Sequence, residues 1–182
     1  MGNSSGSTYV RWGRTSCPLT SELVYDGYAG GGWYHYTSAG TNYLCLPKDP
    51  EWFEGQSTTW YGVGYIYGAE YETHGSELYS HQNYDVPCAV CRTKSTNVLM
   101  IPAKQTCHAG WDKEYSGFLM SAYYNHTSSK EFVCMDRNPE NLAGTSANLD
   151  GALFYFQKAK CGSLPCPPYI EGREIMCVVC TN

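Results

Sequence analysis

Hydrophobic and polar residues alternate along this chain in short runs, the pattern of strands with one buried face. Residues 8–12, Thr-Tyr-Val-Arg-Trp, alternate in this way and lead to Cys17, and their echo, Val98-Leu99-Met100-Ile101-Pro102, leads to Cys107. Tyr28 to Tyr36 joins a glycine-rich turn to an aromatic run, and its counterpart runs from Phe118 to His126. Asn42-Tyr43-Leu44-Cys45-Leu46-Pro47 and Glu131-Phe132-Val133-Cys134-Met135-Asp136 read as short strands entering a proline-bearing loop. Alternation from Tyr61 to Glu72 is answered by Asp150 to Gln157, and each half then passes a Gly-Ser loop before a closing Cys-x-x-Cys strand. No stretch sustains a 3.6-residue apolar period, and Gly and Pro interrupt every long run. The expected fold is mainly β: two pseudo-symmetric, disulfide-bonded halves packed as one compact unit, with long loops and little helix.

These echoes form an internal duplication. Cys88 and Cys91 recur 89 positions later as Cys177 and Cys180, Cys45 recurs at the same offset as Cys134, and Cys17 recurs 90 positions later as Cys107. Tyr25, Gly27, Tyr28, Tyr34, Thr37 and Ser38 match Tyr115, Gly117, Phe118, Tyr124, Thr127 and Ser128. After one lost residue, Tyr43, Leu44, Lys48, Pro50 and Glu51 match Phe132, Val133, Arg137, Pro139 and Glu140. The repeats are assigned to residues 8–96 and 97–182. Residues 1–7, with Gly2-Asn3-Ser4-Ser5-Gly6-Ser7, read as a flexible linker. With no apolar signal core at the start, the expectation is a mature or excised segment behind an added Met1.

Composition narrows the class. A net charge of −5 with both signs interspersed offers no basic stripe for phosphate, so nucleic acid is not an expected partner. No segment approaches the run of about eighteen apolar residues that spans a bilayer, so membrane insertion is not expected either. Seventeen tyrosines and 19 glycines supply the vocabulary of strands and tight turns.

Ten cysteines, an even and high count, favour a disulfide framework in an oxidising compartment. Two Cys-x-x-Cys pairs could in principle hold zinc, but eight duplicated cysteines plus a private pair fit bridges better. A redox motif needs a thiolate at a helix start, whereas Ala89-Val90 and Val178-Val179 sit in strand-like surroundings. Cys161 and Cys166, absent from the first half, are expected to pair with each other across a turn. The remaining connectivity stays open from sequence alone.

Residues 8–18, Asn42 to Pro47, Cys88-Ala89-Val90-Cys91, Leu99 to Ala103 and Cys166-Pro167-Pro168-Tyr169 together resemble the noncollagenous domain of invertebrate short-chain, spongin-like collagens, the "short-chain collagen C4" type. The resemblance covers nearly the whole chain from Thr8. That family is in turn similar to the duplicated C-terminal domain of type IV collagen, whose pattern implies pairing of Cys17 with Cys91, Cys45 with Cys88, Cys107 with Cys180 and Cys134 with Cys177. A collagen also needs Gly-X-Y triplets; this chain has none, and what is present is the globular module alone.

Candidate chemistry lies in the aromatic and polar loops. Sugars lay apolar faces on Trp or Tyr rings and need fixed donors and acceptors for their hydroxyls. Such groups cluster at Trp33, Tyr34 and His35, at Trp60, at His81, Asn83, Tyr84 and Asp85, and at Tyr124 and His126. The competing reading is that most of these aromatics build the core of a small β protein. No histidine has catalytic spacing and no hydrolase or phosphate-loop motif occurs, so no catalytic residue, cofactor or metal is assigned. Glu70 and Glu72 share a strand face and read as solvated; Asp85, Asp136 and Asp150 are scattered without ligand spacing, leaving calcium unspecified. Asn125-His126-Thr127 is an N-glycosylation acceptor, as is Asn3-Ser4-Ser5. Two readings follow. The first is a secreted, extracellular, non-enzymatic module that binds glycans or matrix components, with two related pockets per chain and homo-oligomers adding avidity. The alternative is the trimerisation domain of a short-chain matrix collagen.

Overall fold

A computed structural model of the chain describes residues 6–38, 40–52 and 62–182. The fold is mainly β. The first repeat contributes β1 (Thr8–Trp12), β2 (Ser21–Gly31), β3 (Leu44–Pro47), β4 (Tyr67–Glu72) and β5 (Pro87–Thr93). The second contributes β6 (Val98–Pro102), β7 (Asp112–Ser121), β8 (Val133–Asp136), β9 (Ala152–Phe156) and β10 (Met176–Thr181). Among the described residues the helical element is one 3-10 turn, Tyr79–His81. The alternation expected from Tyr61 onward becomes strand only at Tyr67, because residues 62–66 make no ladder bonds.

Each repeat builds the same sheet. β5 lies between β1 and β2, with β3 on the far edge of β2; β10 lies between β6 and β7, with β8 on the far edge of β7. The repeats then join into one sheet in the order β6-β10-β7-β8-β1-β5-β2-β4-β9. The join is head to tail: β8 of the second repeat runs parallel beside β1 of the first at Trp12 and Met135. β3 and β6, the counterparts of β8 and β1, remain sheet edges among the described residues.

The five disulfides are Cys17–Cys91, Cys45–Cys88, Cys107–Cys180, Cys134–Cys177 and Cys161–Cys166. This is the pairing that the type IV pattern implies, plus the expected private bridge. Sequence separations of 74 and 43 in the first repeat return as 73 and 43 in the second. Strand geometry explains why neither Cys-x-x-Cys pair closes on itself. Residues three apart in a strand point to opposite faces, so Cys88 reaches β3 while Cys91 reaches the loop after β1.

The core carries much of the aromatic content. Tyr43 stacks on Phe154 at 3.9 Å between centroids, and Trp12 meets both rings at 6.1 Å. Tyr71, Met120 and Met135 complete this buried layer across the two repeats. Both repeats also depend on one close crossing. A Cβ on Gly27 would lie 1.9 Å from the Leu46 carbonyl oxygen, and one on Gly117 would lie 1.7 Å from that of Met135. Only glycine lets β3 and β8 approach there, which accounts for its duplication.

Gly117→Ala is therefore expected to cost about 1–3 kcal/mol or more, as overpacking against backbone does. Gly68→Ala, where an added Cβ meets nothing within 4 Å, is the matched control. Urea unfolding of the two variants checks this, and equal stabilities would refute the close-crossing argument.

Candidate functional site

The two aromatic segments that duplication relates are brought together at the joint between the repeats. After β2, the chain turns through Trp33-Tyr34-His35; after β7, its copy turns through Tyr123-Tyr124-Asn125-His126. Tyr34 N–H donates to the Gly151 carbonyl and the Ser128 N–H donates to the Tyr34 carbonyl, so backbone bonds pin one turn against the other repeat. Tyr34 and His126 rings lie 4.6 Å apart, Tyr123 and His126 5.3 Å, and Tyr123 and Tyr155 5.3 Å. Trp33 extends the cluster through Tyr34 at 5.2 Å and Tyr67 at 4.8 Å. The outer face is open: Tyr124 is 88% exposed and packs on Tyr123 at 4.5 Å. Asn125, the sequon residue, is exposed beside it.

Beneath the rings lies an acidic group. Glu70 and Glu72 project from one face of β4, and Asp150 lies in the turn before β9; one carboxylate oxygen from each lies within 4.8 Å of the other two. Glu72 is level with Tyr155 in the β4–β9 register. Glu70 Oε1 accepts the Leu149 N–H at 2.8 Å, whereas Glu70 Oε2 is buried without a partner. Gln82 Nε2 donates to Glu72 Oε2 at 2.6 Å and also bonds Asn83 Oδ1. The expectation of a solvated Glu70/Glu72 face is corrected: Glu70 is only 2% exposed, because the loop at residues 148–150 folds over it. The scattering of aspartates is corrected for one member. Asp150 converges on this group, while Asp136 pairs with Arg11 at 2.7 Å.

Electrostatics follow the geometry. Burial, together with the charges of Asp85, Asp150 and Glu72 and against the Leu149 hydrogen bond, raises the Glu70 carboxyl from 4.5 to about 7. Burial also raises Glu72 and Asp85. His126 is held below its ordinary value by burial, by His35 and by Lys130, against the pull of Asp150.

The structure sorts the candidates from sequence into two places. Trp33, Tyr34, His35, Tyr124 and His126 form the aromatic cluster. His81, Asn83, Tyr84 and Asp85 belong to a separate loop: His81 bonds Asn141, Tyr84 packs on the core, and the Asp85 backbone binds Thr145 and Leu142. Trp60 lies outside the described residues, as does Asn3. Two related pockets were expected from the duplication, whereas the two aromatic turns meet in one cluster instead of standing apart. Tyr67 and Tyr155 in the cluster, and the convergence of Glu70, Glu72 and Asp150, were not foreseen from sequence. Their only sequence signal was period-two alternation, which does not reveal what covers a strand.

A second feature also lies along the joint. The segment at residues 136–145 fills a groove of the first repeat. Glu140 N–H donates to the Gly13 carbonyl at 2.7 Å, its side chain pairs with Arg14 at 3.1 Å and accepts from Thr15, and its carbonyl accepts the Tyr71 hydroxyl. The copy of that groove in the second repeat is open, with a volume of about 700 Å³. Ala103, Lys104 and Gln105 line it in place of Gly13, Arg14 and Thr15, and Ala159, Tyr169 and Ile170 complete it. Ala103 even keeps the left-handed backbone of Gly13, with φ of 60° against 86°.

No protein-family model and no curated protein matches this chain.

The raised Glu70 carboxyl gives a pH prediction. The folded state holds a proton that the unfolded state releases, so stability falls as pH rises from about 4.5 through 7. In metal-free buffer the chain is expected to lose about 1–3 kcal/mol over that window relative to Glu70→Gln. Chemical denaturation at several pH values measures it; parallel profiles for the two proteins would sink the assignment.

Proposed function

We propose that the chain is a secreted, non-enzymatic assembly module in which the joint that fuses its two repeats is used again between chains, building a homo-oligomer. The observation that carries this reading is the pair of grooves, one filled by residues 136–145 and its copy open. The counterpart of the filling segment is residues 47–56, of which the described members, 47–52, are all exposed, Trp52 to 82%. Glu51 stands where Glu140 stands, and Lys104 where Arg14 stands, so the ion pair is reproduced by a second copy. Trp52 takes the place of Asn141, which bonds Ser80 and His81. By the same offset it would meet Tyr169 and Ile170, a polar contact replaced by an apolar one.

The flanks support the same docking. At the joint, Tyr9 of the first repeat donates its hydroxyl to buried Glu114 of the second at 2.7 Å. Their counterparts on the free ends are Leu99 and Val24, 41% and 55% exposed. Apolar residues of this size on complementary open faces fit an interface between chains. A head-to-tail contact closes into a ring or continues as a filament according to its rotation. The resemblance to short-chain collagen domains agrees with assembly, and five disulfides are typical of extracellular proteins.

Charge exchange tests this. Sedimentation is expected to show an oligomer at micromolar concentration, weakened roughly tenfold or more by Glu51→Lys or Lys104→Glu and restored when both are combined. A folded wild-type chain that sediments as a monomer across the micromolar range overturns the reading.

A second reading, favoured by the open Tyr123–Tyr124 rings above Glu72, Asp150 and His126, is saccharide binding. It is compatible with assembly, which would multiply the single site of each chain. Tyr124→Ala is expected to reduce binding on a glycan array by about tenfold, a stacking contact being worth on the order of 1–2 kcal/mol, without changing the fold. A blank array from folded protein refutes it.

A further inference from the structure

We infer that Glu70, Glu72 and Asp150 form a binding site for one calcium ion at the joint between the repeats. Three carboxylates that each bring one oxygen within 4.8 Å of the others are an oxygen-only set, the donor chemistry of a hard divalent cation. Acidic clusters at a surface often mean nothing more than solvated charge. This one differs because Glu70, a member of the cluster, is 2% exposed and its carboxylate keeps one buried oxygen, Oε2, without a hydrogen-bond partner. A buried carboxylate oxygen left without a donor is costly, and a cation shared with Glu72 and Asp150 would satisfy it.

The scaffold holds the three groups independently of any ion. Glu70 and Glu72 lie two apart on β4 and so share a face. Glu70 Oε1 is fixed by the Leu149 N–H, and Glu72 Oε2 by Gln82 Nε2 at 2.6 Å. Asp150 is set in the turn by a left-handed backbone, φ 62°, next to Gly151, where a Cβ would strike the Gly68 carbonyl oxygen at 2.2 Å. Partial exposure of Glu72 and Asp150 gives the ion a path in and leaves room for water ligands. Flexible coordination of six to eight oxygens suits calcium better than the strict octahedron that magnesium requires.

The site joins elements from both repeats, β4 from the first and the turn before β9 from the second. Bound calcium would therefore tie the repeats together beneath the aromatic cluster. It does not depend on the assembly reading, since none of its three ligands belongs to the groove or to residues 47–52.

Terbium, a calcium analogue that emits when a nearby tyrosine absorbs, gives a direct test on the whole oxidised chain. Tyr155, level with Glu72, is the nearest expected donor. Terbium added to chelator-stripped protein is expected to show sensitised emission that calcium displaces, and calcium is expected to raise Tm. Asp150→Asn and Glu72→Gln should weaken both effects by about tenfold or more while the circular dichroism is unchanged. Tyr155→Phe should lower emission while keeping the calcium-dependent Tm shift. Two results overturn the inference: no calcium-dependent Tm shift at millimolar calcium, or terbium and calcium responses that are the same in Asp150→Asn, Glu72→Gln and wild type.

Discussion

The structure depends on how Arg11 and Arg14 receive the loop after β8. Arg11 reaches Asp136 at 2.7 Å with side chains only 14% and 5% exposed, and its guanidinium also lies 5.7 Å above the Tyr115 ring. Removing one member of a buried pair leaves an uncompensated charge and costs on the order of 3–5 kcal/mol. Because both members are nearly sealed, Asp136 can sit nowhere else, and this fixes Met135 beside Trp12. Residues 137–145 then follow along the groove, and Glu140 completes the seating at Gly13, Arg14 and Thr15. A second buried node repeats the logic on the far side. Glu114 accepts hydroxyls from Tyr9, Thr20 and Ser21 of the first repeat and Thr181 of the second, at 2.7 to 2.9 Å. Those bonds hold its carboxyl below the usual value although burial pushes the other way.

Neither node is duplicated. The counterpart of Arg11 is Ile101, that of Asp136 is Pro47, and that of Glu114 is Val24. These two nodes are polar only where the repeats meet within the chain, with apolar residues in the equivalent places on the free ends, whereas Glu51 and Lys104 keep the charges of Glu140 and Arg14. The joint within the chain is thus polar and buried, whereas among its free counterparts Leu99 and Val24 stand 41% and 55% exposed. The buried Arg11–Asp136 pair fixes the register of the two repeats within the chain, and apolar residues on the free ends are what the proposed association between chains would bury.

Much of the β framework was legible because its signals are local or covalent. The cysteine offsets located both repeats, and short alternating runs located most strands. The connectivity needed a template, since ten cysteines allow many pairings, but strand geometry explains the outcome once Cys88 and Cys91 are seen on opposite faces. The illegible part was long-range. Glu70 and Glu72 alternate with Tyr71 as any solvated face would, and only the turn some eighty residues later buries Glu70. In the same way, Trp33 to His35 and Tyr123 to His126 read as two sites. They become one because β2 and β7 end on the same side of the joint.

That convergence follows from the kind of symmetry the repeats adopt. Had they packed face to face about a two-fold axis, every contact would occur twice and both grooves would be filled or both open. The head-to-tail join makes each contact once, so it must leave one donor segment and one acceptor groove unsatisfied at the ends. It also explains why β4 pairs in parallel with β9 from Ala69 to Glu72, while the equivalent segment from Gln157 has no such parallel partner among the described residues and bonds instead with Leu119 and with the chain near Glu174 and Ile175. The aromatic and acidic groups collect at that asymmetric pairing. A site built there exists once per chain, and it forms only when the two repeats are correctly joined.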